Sequence, residues 1–185
     1  MWIPGEIGMM TNEGPQGIYE AIESLQNATP VPALEWRSGM AKACQDHVED
    51  TGPQGLTGHT GTDGSSPYDR MNRYGSWGLS AAENISYGSN TGIDIVMQLF
   101  VDDGVASRGH RTNLMAETST VTGNASGSHS QYGDMTCIGY AGSYVNAPDP
   151  DPIGVVEPSV DPCGEIVVEF FNDDDAQSDL DPELF

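Results

Sequence analysis

Apolar residues return at helical spacing in the first hundred positions and in short strand-like runs only later. Ile18, Ala21, Ile22 and Leu25 repeat with the three-and-four period of a helix that stops before Asn27-Ala28-Thr29-Pro30. They predict a short amphipathic helix with those four side chains inward. After the extended Pro30-Val31-Pro32, Ser38 is placed to cap a second helix, with Met40, Ala43, Cys44, His47 and Val48 on its inner face and its end at Thr51-Gly52-Pro53. Ser66-Pro67-Tyr68-Asp69 combines a cap residue, a first-turn proline and an acid three residues on, which predicts a third helix running to about Tyr74 and stopping at Gly75. Thr91 caps a fourth, with Ile93, Val96, Met97, Leu99 and Phe100 as its buried stripe and Gly104 as its stop. Thr120 to Gly127 and Met135 to Ala141 then read as strands joined by a turn through Ser128 to Asp134. Helices first and strands later predict an α+β or layered fold.

Three stretches resist this periodicity. Gly52 to Gly64 is rich in glycine and has no periodicity, so it reads as a long ordered loop or a disordered one, and a loop of that length in a compact domain tends to be functional. Ala147-Pro148-Asp149-Pro150-Asp151-Pro152 is an extended linker that ends the domain, and a solvated linker explains it better than weak calcium binding does. Beyond it, residues 164–171 are apolar enough for one more strand, and the acidic stretch to Phe185 reads as disordered. The expected organisation is an N-terminal extension over 1–16, one domain over 17–146 and an acidic linker and tail over 147–185.

Composition narrows the function. The 185 residues hold 28 acids against 6 bases, a formal charge of −22, and 12 of those acids lie from Asp149 onward with no base among them. Such a surface repels nucleic acid and anionic membranes, so no nucleic-acid partner is expected. No run of about 18 apolar residues is present for a transmembrane segment, and the first residues lack the basic and apolar regions of a signal peptide. Cys44 and Cys137 read as buried free thiols and Cys163 as accessible, with a Cys137–Cys163 disulfide as the alternative.

Candidate chemistry gathers in Gly58-His59, Glu83-Asn84 and Gly109-His110-Arg111, the last preceded by Asp102 and Asp103. Two imidazoles and two carboxylates suit a divalent ion such as zinc, or proton exchange between them. Other polar residues read as structural: Cys44 and His47 as core, His129 as a solvated turn residue, Asp63 with Arg70 as an ion pair ordering the loop, and Arg111 as a partner for a nearby acid. No nucleophile elbow and no HExxH or paired CxxC signature is present.

The ordered series "CQDHVED", "GHTGTDGSSPYDRMNRYGSW", "AENISYG", "DIVMQLFVDDGVASRGHRTNL" and "CIGYAGSY" resembles the CAP superfamily of cysteine-rich secretory, antigen 5 and pathogenesis-related proteins, in its bacterial-type SCP-like branch, over about Gly17 to Tyr144. The resemblance implies a three-layer α-β-α sandwich with a central antiparallel sheet. It also implies a cleft in which His59, Glu83, His110 and Asp102, with Asp103 as the adjacent alternative, hold zinc or another divalent metal. Ala82 stands where the family commonly has glycine before Glu-Asn. By resemblance the protein is extracellular or cell-surface, a binding or interaction module for a small apolar ligand (lipid or sterol) or a protein partner. The alternative is a metal-dependent, protease-like hydrolase with Glu83 as base on bound water. A purely structural extracellular module ranks between them. No catalytic residue is assigned.

Overall fold

Helix α2, Ser38–Thr51, and helix α3, Pro67–Tyr74, take the places that the sequence pattern gives them. Met40, Ala43, Cys44, His47 and Val48 are all buried on α2. The Ser66 hydroxyl accepts from Asp69 N–H while the Asp69 carboxylate accepts from Ser66 N–H, closing the capping box of α3. The protein is described by a computed structural model over residues 11–148, so the proposed strand at 164–171, the acidic tail and Cys163 lie outside the described residues.

Ser38 is not a cap, because Arg37 N–H donates to Thr122 O at 2.8 Å and so extends the pairing of the two-residue strand β1, Glu35–Trp36, which the sequence pattern does not signal. Arg37 is therefore the last extended residue, and Ser38 already lies in the first turn. Helix α1, Pro15–Asn27, has the predicted period on a different arc. Gly17 and Ala21 are buried, while Ile18, Ile22 and Leu25 are exposed. Glu20 fixes this rotation by pairing with Arg108 and Arg111, and the small Gly17 and Ala21 permit the approach.

Strand β2, Gly75–Tyr87, does not read as a strand, because its inward positions include the polar Glu83, Asn84 and Ser86, all buried. Period-two reasoning depends on apolar residues marking the buried side. Helix α4, Gly92–Val101, has the Thr91 cap but ends at Asp102 in the left-handed conformation rather than at Gly104. It buries only Ile95 and Leu99, leaving Ile93, Val96 and Met97 exposed. The short α5, Gly109–Leu114, follows, and then β3, Val121–His129, and β4, Gly133–Asn146, form a hairpin.

The sheet order is β1-β3-β4-β2, antiparallel except for the parallel β1–β3 pair, which leaves β2 on an edge. Side chains alternate across β2. Glu83 and Ile85 share the face of Cys137 and Gly139 under α2 and α3, and Asn84 and Ser86 face α4 and α5. The main core lies on the first face, where Met40, Met71, Val121, Ala141 and Tyr144 join Cys44, Val48, Ile85, Met135 and Cys137. Gly123 allows α2 to sit this close, since a Cβ there would lie 2.4 Å from the backbone nitrogen of Ala41.

Candidate functional site

The loop before His59 is held at Gly58 from both sides. Its carbonyl accepts from His47 Nε2 at 2.8 Å, and its N–H donates to the Tyr87 hydroxyl at 3.0 Å. Gly58 has φ of 99°, a left-handed backbone suited to glycine, so sequence and clamp together set where His59 begins. His47 is a core histidine as expected. Burial, and then the neighbouring Arg70 charge, lower its pKa and keep the ring neutral.

From that loop His59 Nδ1 meets Glu83 Oε1 at 2.8 Å. Glu83 Oε2 accepts from Arg70 Nη2 at 2.7 Å and from the Cys137 thiol at 3.2 Å. Burial alone would raise the Glu83 pKa, but the hydrogen bond from His59 and the charge and hydrogen bond of Arg70 outweigh it and hold the carboxyl below its usual range. Arg70 also donates to the carbonyls of His59 and Ser65, tying both ends of the loop to the same guanidinium. The expected Asp63–Arg70 pair is not formed, since Asp63 instead pairs with Arg73 at 2.5 Å. Three residues along α3, Arg70 is buried and Arg73 faces outward.

The second pair is built locally. Asp102 caps the end of α4 with its side chain 2% exposed, and its two oxygens accept from His110 Nδ1 at 2.6 Å and His110 N–H at 2.9 Å. Asp103 turns away to accept from the backbone of Asn12 and Glu13, so Asp102 is the acid beside His110. Arg108, also left-handed, starts α5 and donates to the carbonyls of Asp102 and Val105 and to Glu13 and Glu20. Arg111 does pair with an acid, Glu20, and its guanidinium also bonds the last carbonyls of α4 and lies over Phe100.

The two pairs are tied to adjacent residues of the edge strand. Glu83 reaches His59 on one face, and Asn84 on the other donates to His110 O at 3.0 Å while accepting from Asn113 Nδ2 at 2.8 Å. Asn84 and Asn113 carry no charge and sit in no metal pattern, so sequence reasoning passes over them; the shared "EN" dipeptide is the only local hint. His129, expected in solvent, is buried, with Nε2 on Leu56 O at 3.0 Å and its ring against Tyr87 and Tyr132.

Among the described residues, the one group of three candidate ligand atoms within 4.8 Å of one another is Cys44, Glu83 and Cys137. It suits an ion poorly. The two sulfurs are 2.7 Å apart, whereas two thiolates on one tetrahedral zinc stand about 3.8 Å apart. The Glu83 oxygen nearest the sulfurs is already held by Arg70. The four residues predicted as ligands form two hydrogen-bonded pairs, His59–Glu83 and His110–Asp102, and no three of them offer ligand atoms within 4.8 Å of one another. In each pair Nδ1 is engaged by a carboxylate, and Nε2 has no hydrogen-bond partner among the described residues. The His59 side chain is 50% exposed and that of His110 29%. A ring with Nδ1–H on a carboxylate and Nε2 open is how metal-bound histidines are held, so the donor chemistry fits a divalent ion.

The cysteine-rich secretory protein family matches residues 19–139. This chain belongs to that CAP family. Among solved structures, an outer surface protein from Borrelia burgdorferi is 18% identical with a TM-score of 0.51, over 72% of this chain and 95% of that one. An extracellular protein containing an SCP domain from Bacillus anthracis str. Ames is 19% identical with a TM-score of 0.48, over 73% and 45% of the two chains. The first likeness shows a shared fold, the α-β-α sandwich expected of the CAP family. A comparison with curated proteins finds no match. No helix among the described residues is long and apolar enough to cross a membrane.

Proposed function

We propose that this CAP domain is an extracellular binding module whose two carboxylate-backed histidines hold a divalent ion such as zinc beside an apolar ligand, a lipid or sterol. The observation that carries the reading is the pair of imidazoles, each oriented through Nδ1 by a buried carboxylate and each left with an open Nε2. His59 and His110 are the ligands in this reading, and Glu83 and Asp102 fix the tautomer and aim of each ring. A bound ion would supply a Lewis-acidic point for an oxygen of the ligand. Ile93, Val96 and Met97 are exposed on α4, the helix that ends at Asp102, and offer apolar surface that favours an apolar ligand over a polar one.

Glu83 speaks against the hydrolase reading. A general base works best with a pKa near the working pH and a free lone pair facing water. The Glu83 carboxyl is held low, and its oxygens are taken by His59, Arg70 and Cys137. The test is calorimetric titration of the full chain with zinc. Binding by the wild type and its loss in a His59→Ala, His110→Ala double variant supports the reading. Equal binding by both proteins contradicts it.

A further inference from the structure

Cys44 on α2 and Cys137 on β4 face each other in the core, 93 positions apart in sequence and with Sγ atoms 2.7 Å apart. That is closer than the about 3.5–4.0 Å at which even carbon atoms make their best contact. Both are free thiols here, and both are buried. Gly123, with no side chain, lets the helix that carries Cys44 approach the sheet closely, and its carbonyl accepts weakly from Cys44 Sγ at 3.5 Å, so α2 brings Cys44 down onto the strand pair that carries Cys137.

We infer that Cys44 and Cys137 form a disulfide that staples α2 to β4 directly behind Glu83. The bond forms by exchange with a small disulfide. One protein thiolate attacks it and releases one small thiol, and the second protein thiolate then displaces the other. One protein S–S bond replaces one small S–S bond, both cysteines are oxidised, and their two protons leave with the two released thiols. Oxidation also withdraws the thiol proton that Cys137 donates to Glu83 Oε2, leaving that oxygen to Arg70. A third cysteine, Cys163, competes for the same chemistry and has to be removed from the test.

The experiment uses the full chain with Cys163→Ser, refolded from denaturant with oxidised and reduced glutathione. The expected product takes up no iodoacetamide after unfolding without reductant and two equivalents after reduction. Its digest contains one cross-linked pair of peptides carrying Cys44 and Cys137. The oxidised form is expected to melt about 10 °C above the reduced form, because the bond closes a long loop of the unfolded chain. Two free thiols, or glutathione on each cysteine without a cross-link, would overturn the inference. So would a cross-linked form that melts no higher than the reduced one.

Discussion

The two halves of the site perform the same task with opposite constructions. His59–Glu83 is assembled over long range from a loop, α3, β2 and β4, and its acid is buried against an arginine with both side chains at most 3% exposed. His110–Asp102 is made within nine residues by two left-handed backbone positions, and the arginines around it pair with partly exposed acids, Glu20 of α1 and Glu13 just before that helix. The first half is bound up with the stability of the domain. The second is expected to tolerate change with less effect on folding. Evidence that separates stability from binding therefore tests the comparison.

The largest effect is expected at Arg70. Arg70→Ala leaves the Glu83 charge buried without its partner and frees the carbonyls of His59 and Ser65, which costs about 3–5 kcal/mol in urea unfolding. A loss below about 1 kcal/mol would show that Glu83 is not held as described. Next is the acid dependence of Glu83. Its folded pKa is lowered, so its stabilising contribution is complete above the unfolded value of about 4.3 and is lost as pH falls through the folded value. The stability gap between wild type and Glu83→Gln should accordingly be wide at pH 6 and close in acid. A gap constant from pH 6 to pH 3 would contradict the sign.

On the local half, Asp102→Asn keeps a residue that accepts the left-handed backbone but weakens the support of His110. Zinc affinity should fall by about 10–100-fold with little change in melting temperature. A large drop in melting temperature with unchanged zinc binding would reverse the assignment of roles to the two halves. The smallest effect belongs to Glu13→Gln at the rim, where Arg108 holds the exposed Glu13 carboxyl down to about 2. Such exposed pairs contribute little, and the melting temperature should move by about 2 °C or less.

What could be read from the sequence follows the same division between local and long-range construction. The capping box of α3, the Thr91 cap and the inner face of α2 depend on residues within one or two turns and are found where the pattern puts them. The arc of α1 is misread because burial there follows small residues and the Glu20 ion pairs rather than Ile18, Ile22 and Leu25. Strand β2 is hidden because its buried residues are polar, and their partners Arg70, Cys137 and Asn113 come from elements distant in sequence. Residue types alone put His59, Glu83 and His110 forward as candidates, and only the ordered family motifs imply that they share one cleft. That Asp102 rather than Asp103 meets His110 depends on a left-handed turn that nothing in the sequence separates from its neighbour.

The central claim is that an ion bound here sits on the open nitrogens of His59 and His110 and not on the buried sulfurs. X-ray absorption at the zinc edge of the zinc-loaded full chain decides it. The account predicts a first shell of nitrogen and oxygen alone at about 2.0–2.1 Å, with the multiple-scattering signature of two imidazoles. Sulfur at about 2.3 Å, retained in the His59→Ala, His110→Ala variant and lost in Cys44→Ser, would place the ion behind Glu83 and contradict the account.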